Sequence, residues 1–209
     1  MKHAYPGYLI SLEGIDGCGK TSLTQCIVAS LQKKKITVLA TKEPGGTALG
    51  QSLREILHHK KGAVNHVAEF LLFAADRAQH FETVIIPTLK KGYIIITDRL
   101  ADSSLAYQGY GRGLDKRMIS KINEWTMHEI IPDLTIYLRI NPTISLDRIH
   151  HRQEIKTSFE QEELDFWQRV ITGYEEIFAN RNNVITLDAA LSQQTLCDLA
   201  LKEILRIVQ

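Results

Sequence analysis

Apolar positions along this chain follow two alternating rhythms. Short unbroken runs occur at Tyr8-Leu9-Ile10-Ser11-Leu12, Thr37-Val38-Leu39-Ala40, Gly92-Tyr93-Ile94-Ile95-Ile96-Thr97, Leu134-Thr135-Ile136-Tyr137-Leu138 and Val184-Ile185-Thr186-Leu187. They predict strands, and the Gly92 to Thr97 run predicts a buried one. Between them the spacing lengthens to three and four. Leu23, Ile27 and Leu31 follow the first run; Trp167, Val170, Ile171, Tyr174, Ile177 and Phe178 share one face; Leu196, Leu199, Ala200, Ile204 and Ile207 mark a last helix. These stripes read as core or subunit interface. Helices also fill the chain up to about Lys90 and from about Lys116 to Glu129, while Pro44, Gly45 and Gly46 force a turn after the second strand. Strands alternating with helices predict an α/β fold, a doubly wound and mostly parallel sheet of about five strands flanked by helices. With neither repeat nor linker, residues 1–209 read as a single domain.

Charge and cysteines narrow the classes. Lys and Arg number 25 against 24 Asp and Glu, a formal charge of +1, so no global field would hold a nucleic-acid polymer. The cysteines Cys18, Cys26 and Cys197 form neither a C-x-x-C pair nor a paired framework, which predicts unpaired thiols in a reduced, cytoplasmic setting. The first residues lead into a strand rather than a leader, and no apolar stretch approaches a membrane span, so the chain reads as soluble. Lys33-Lys34-Lys35 suits a solvated helix end, and the pairs His58-His59 and His150-His151 point to different sides of a helix, which disfavours a metal role.

The chemistry begins after the first strand. Gly14-Ile15-Asp16-Gly17-Cys18-Gly19-Lys20-Thr21 fits G-x-x-x-x-G-K-[ST], a phosphate-binding loop (P-loop) set between a strand and a helix. Its glycines let backbone N–H groups turn around a polyphosphate, Lys20 reaches the outer phosphates, and the Thr21 hydroxyl suits Mg²⁺, so a nucleoside triphosphate is expected. Cys18 reads as small loop filler. Asp98, delivered at the carboxyl end of a buried strand, suits a carboxylate supporting Mg²⁺, and Arg99 beside it reaches the same cleft. Arg54, Arg77, Arg99, Arg148 and Arg152 lie on different elements, as a site for two phosphorylated ligands requires. A GTPase switch is disfavoured, because no N-K-x-D run occurs.

Lys42-Glu43-Pro44-Gly45-Gly46-Thr47, Leu72-Phe73-Ala74-Ala75-Asp76-Arg77-Ala78-Gln79, and Asp98-Arg99 through Ala106-Tyr107-Gln108-Gly109 occur in order after the loop. With them, the chain from about Tyr8 through Leu187 resembles the bacterial thymidylate kinases. The resemblance implies a P-loop nucleoside monophosphate kinase-like fold with a short lid at about 148–161, a homodimer, and transfer of the γ-phosphoryl of Mg²⁺-bound ATP to dTMP. It implies that Arg54 and Arg99 hold the dTMP phosphate, that Phe73 stacks on thymine, and that Arg77, Ser104 and Gln108 meet the polar edge of the base. Asp16 takes the place of a carboxylate near the sugar 3'-hydroxyl and the metal, or simply caps the loop. Tyr107 would lie against the sugar 2' position, or serve in packing. In the lid, Arg152 would be the main transition-state cation with Lys156 a lesser one, and Arg148 would lie nearer adenine. Another monophosphate kinase or a deoxynucleoside kinase is the alternative within this class.

Overall fold

All strands run parallel in one sheet ordered β2-β3-β1-β4-β5. The computed structural model describes residues 3–58, 64–151, 159 and 162–208. The central strand β1 (Tyr8–Glu13) lies between β3 (Ile94–Asp98) and β4 (Leu134–Arg139), and the outer strands are β2 (Val38–Lys42) and β5 (Val184–Asp188). The unbroken apolar runs explain this order. β1, β3 and β4 are covered on both faces and buried along nearly their whole length, whereas the mixed sequences of β2 and β5 tolerate partly exposed edges. Because β3 inserts between β1 and β2, the connection after β1 runs to one side of the sheet and the connection after β3 to the other, and a crevice opens beyond the ends of these adjacent strands at that switch point.

Helix α1 (Lys20–Lys33) follows the phosphate loop, and α9 (Gln193–Val208) packs along it. Leu23, Ile27 and Leu31 of α1 enter the same core as Trp167, Val170 and Tyr174 of α8 (Leu164–Phe178) and Leu196, Ala200 and Ile204 of α9. α2 (Ala48–His58) packs against α3 (His66–His80), which starts at Asn65, whose side-chain oxygen accepts from Val67 N at 2.9 Å. The winding of α3 widens to π over Phe81–Ile85 before α4 (Ile86–Lys90). In the same way α5 (Ala101–Ser104) passes into a π segment, Leu105–Gly111. Such π turns re-aim side chains, and this one carries Tyr107 and Gln108. α6 (Lys116–Thr126) stops short of Glu129, because His128 and Glu129 take left-handed φ of 51° and 60°. α7 (Pro142–His150) completes the set.

The three thiols are not all unpaired, as their spacing had suggested. Cys26 of α1 and Cys197 of α9 are joined in a disulfide with their Cα atoms 6.1 Å apart, and only Cys18 is free. A separation of 171 residues carries no sequence signal of pairing; the packing of α1 on α9 makes the pair. No helix among the described residues is long and apolar enough to cross a membrane.

Ile27 is fully buried where α1 meets the sheet. Ile27→Ala is expected to lower unfolding stability by about 2–5 kcal/mol in urea titration, the cost of lost burial plus a residual cavity.

Candidate functional site

The crevice at the strand ends is a cleft of about 830 Å³. On one wall the phosphate loop leaves β1 through Gly14, at φ 139°, where a Cβ would stand 2.6 Å from Leu138 O. Gly17, at φ 79°, fits equally closely under Ser145 of α7, where a Cβ would stand 2.8 Å from Ser145 O. No larger residue fits either place without a shift. Ser145 Oγ donates to Asp16 O, tying α7 to the loop. Ile15 and Cys18 turn into the core, so they offer a ligand only their backbone.

Lys20 opens α1, its Nζ donating to Gly14 O at 3.1 Å and Ile15 O at 3.0 Å and lying 3.5 Å from Cys18 Sγ. The first turn of α1 holds no acidic residue, so its N-terminal dipole faces the cleft uncompensated, a setting suited to anions. Thr21 Oγ1 donates to Asp98 Oδ2 at 3.2 Å across the loop mouth. A hydroxyl beside a carboxylate offers the hard oxygens that Mg²⁺ takes together with phosphate oxygens, so the residues fit that ion.

Arg99 stands at the centre. Its backbone is left-handed, φ 75°, which turns the side chain from the end of β3 back toward the loop. Nη1 donates to Gly14 O at 2.8 Å, Ser103 Oγ at 3.1 Å and Tyr174 OH at 3.4 Å; Nη2 donates to Asp16 Oδ1 at 2.8 Å and Tyr107 OH at 3.0 Å. The guanidinium also lies over the Tyr107 ring, 5.0 Å from its centre. Burial alone would raise the Asp16 carboxyl, but the charges of Arg99 and Lys20 outweigh it and hold the group down at about 2. Burial pushes the Tyr107 hydroxyl well above its ordinary value, so it stays a neutral donor, reaching Asp16 Oδ2 at 3.2 Å.

The opposite wall carries Phe73, Arg77, Ser104, Tyr107 and Gln108. Arg77 is buried and fixed from three sides: Nε donates to Glu43 Oε2 at 2.9 Å, Nη1 to Asn123 Oδ1 at 2.6 Å and Nη2 to Ser104 Oγ at 3.0 Å. His80 Nδ1 lies 3.0 Å from Glu43 Oε1, and Thr41 Oγ1 lies 2.7 Å from His80 Nε2. Burial, with the nearby charge of Glu43, pushes Asp76 up to about 6. Arg54 lines the cleft and donates to Pro44 O at 3.0 Å. Phe159 faces Phe73 with ring centres 6.0 Å apart and Tyr107 edge-on at 5.9 Å.

The structure thus gathers Asp16, Gly17, Gly19, Lys20, Thr21, Arg54, Phe73, Arg77, Asp98, Arg99, Ser104, Tyr107 and Gln108 around one cleft. Arg148 stands apart from that lining; its Nη2 donates to Ala189 O at 3.1 Å, beyond the end of β5. Arg152 and Lys156 lie outside the described residues, as does most of the segment expected to form a lid.

Several contributors escape the sequence reading. Glu13, the last residue of β1, is fully buried; Oε1 accepts from Leu100 N at 2.8 Å, and Oε2 accepts from Ser103 Oγ at 2.6 Å and Tyr174 OH at 3.1 Å. It therefore braces both the turn after Arg99 and the two hydroxyls against which Arg99 rests. A charge ending a buried strand was the available signal, the same one that marks Asp98. Glu43 stood only inside the Lys42 to Thr47 run with no role of its own, Glu69 and Phe159 carried no comparable signal, and Tyr174 lay hidden in an apolar stripe.

Burial first, and then the charge of Asp102, raises Glu13 from 4.5 to about 7. The folded protein then binds this proton more tightly than the unfolded chain, so its contribution to stability is present in full below 4.5 and is lost as pH rises through about 7. Glu13→Gln is expected to flatten the dependence of melting temperature on pH between those values relative to the parent. Parallel melting curves check it, and superimposable pH profiles would count against a titrating Glu13.

A sequence model of the thymidylate kinase family matches residues 12–198. The chain is 41% identical over 195 residues to the thymidylate kinase of Chlorobaculum parvum, spanning 89% of this chain and 90% of that one. To the thymidylate kinase of Chlorobaculum tepidum it is 42% identical over 193 residues, 88% and 90% of the two chains. To that of Carboxydothermus hydrogenoformans it is 44% identical over 171 residues, 82% and 84% of the two. A match running from the end of β1 into α9, with relatives this similar along most of their length, makes the chain a member of the thymidylate kinase family.

Proposed function

We propose that this chain transfers the γ-phosphoryl group of ATP to dTMP, releasing ADP and the dTDP that supplies dTTP for DNA synthesis. One observation carries the reading: residues of a phosphate loop and a set of arginines with an aromatic ring, Arg54, Phe73, Arg77 and Arg99, line a single cleft. The loop's backbone N–H groups and Lys20 bind the triphosphate. Thr21 and Asp98, with Asp16 nearby, would hold Mg²⁺, which neutralises phosphate charge when bound. Arg54 and Arg99 take the acceptor phosphate, Phe73 stacks on thymine, and Arg77, Ser104 and Gln108 read its edge. Tyr107 and Asp16 meet the sugar.

The chemistry needs no protein nucleophile. An acceptor phosphate oxygen forms the new bond to the γ-phosphorus as the bond to the bridging β-γ oxygen breaks, and that oxygen leaves with ADP. The protein's work is alignment and charge. Arg99, already touching both the loop and the acceptor wall, is placed to lie between donor and acceptor. Arg152 would add positive charge from the lid, with Lys156 secondary, and Arg148 would lie nearer adenine; closure would keep water from the γ-phosphorus. The nucleotide substrates support a cytoplasmic location.

A coupled ADP-release assay across the nucleoside monophosphates tests the activity, and preference for another monophosphate over dTMP would overturn it. Lys20→Ala is expected to lower kcat by about 10²-fold or more, whereas Arg99→Ala should chiefly damage dTMP handling. Near-parental kinetics in either would remove that residue from its assigned role. For Arg152→Ala, a kcat within about threefold of the parent would eliminate the lid cation.

A homodimer is supported by an apolar surface on α3 and α6. Val67, Leu71, Met118 and Trp125 are exposed there, Trp125 at 80%. α3 and α6 pack together, so exposed apolar side chains on both offer an association surface, which a second copy would cover. Trp125→Glu is expected to convert dimers to monomers in sedimentation velocity; a monomeric parent would overturn the assignment.

A further inference from the structure

Behind the acceptor wall stands a carboxylate that no substrate would touch. Glu69 of α3 is fully buried, outside the cleft lining, and its Oε1 accepts from Gln108 Nε2 at 3.0 Å. Arg112 Nε approaches the same oxygen at 3.4 Å. Arg112 is itself held, by Glu162 at 2.6 Å and over the Phe166 ring at 4.6 Å. The carboxylate oxygen therefore sits in a fixed place between a cation and an amide.

A glutamine amide by itself has no preferred sense, since a half-turn exchanges its donor and acceptor with little change in shape. A carboxylate with an arginine beside it accepts only. Gln108 must turn its NH₂ group back toward Glu69, which leaves the carbonyl Oε1 to the cleft. On the same wall Arg77, fixed by Glu43, Asn123 and Ser104, offers only donors. A donor next to an acceptor complements a base edge carrying a carbonyl beside a ring N–H, as thymine does. Cytosine, with an amino group beside an unprotonated ring nitrogen, would set donor against donor and acceptor against acceptor.

We infer that Glu69 is a positioning residue for substrate choice: by locking the sense of the Gln108 amide, it selects monophosphates whose base bears a ring N–H beside a carbonyl. This rests on the reading of the cleft as a dTMP site.

The test is the ratio of kcat/KM for dTMP to that for dCMP in the parent, Glu69→Gln, Gln108→Leu and the double variant. Arg112 Nε, 3.4 Å away, holds a neutral amide at 69 far more weakly than it holds a carboxylate, so that amide can present either atom to Gln108 and frees it to turn. Glu69→Gln is expected to lower the ratio about tenfold, while adding it to Gln108→Leu should change nothing further. A ratio within about twofold of the parent for Glu69→Gln, or the same fall in both backgrounds, would overturn the inference, because a merely structural role acts whether or not Gln108 is present. Should Glu69→Gln fail to fold, Glu69→Asp keeps the buried charge but withdraws the oxygen by one methylene, and the same ratio decides. A parent that turns over neither nucleotide would instead remove the dTMP reading, and the inference with it.

Discussion

Arg99 is the group on which the site depends. An L-residue in the left-handed region costs about 1–2 kcal/mol, and the surroundings offset this with bonds on either side of the turn. Arg99 N donates to Leu12 O at 2.9 Å and Leu100 N to Glu13 Oε1 at 2.8 Å. The reward is direction. A side chain following the ordinary course of β3 would continue past the sheet; this one folds back so that a single guanidinium touches the loop through Gly14 and Asp16 and the facing wall through Tyr107. The two walls of the cleft share one charge.

The wall facing the phosphate loop follows the same logic one layer deeper. Arg77 and Gln108 face the cleft, and a buried carboxylate stands behind each, Glu43 for the first and Glu69 for the second. Water would solvate an arginine or amide in many orientations, whereas a buried partner permits few. Preorganisation of this kind means that little reorientation is left to occur when substrate binds, which favours both rate and discrimination. The π-wound segment Leu105–Gly111 serves that arrangement by bringing Tyr107 toward Arg99 and Gln108 toward Glu69 from a single stretch of chain. The loop is braced too: Ser145 of α7 bonds the Asp16 carbonyl, and Gly17 has no side chain to hold α7 away.

The strands, their parallel arrangement and the phosphate loop were legible in the chain because they rest on local rules. Unbroken apolar runs become central strands wherever both faces are covered, and glycine spacing with Lys20 and Thr21 makes an anion loop whatever surrounds it. Asp98 and Arg99 could be placed at the cleft because position at a strand's carboxyl end is itself local information. What could not be read was pairing across distance. Cys26 and Cys197 meet because α1 packs on α9. Tyr174 looked like one more apolar position of α8, yet its hydroxyl lies 2.9 Å from Ser103 Oγ and bonds Glu13. Sequence alone therefore determined the fold class and the phosphate chemistry, both functions of residue type at short spacing. Only the tertiary structure decided which buried carboxylate stands behind which arginine or amide, because such pairs form where separate elements pack and burial leaves each charge few partners to choose from.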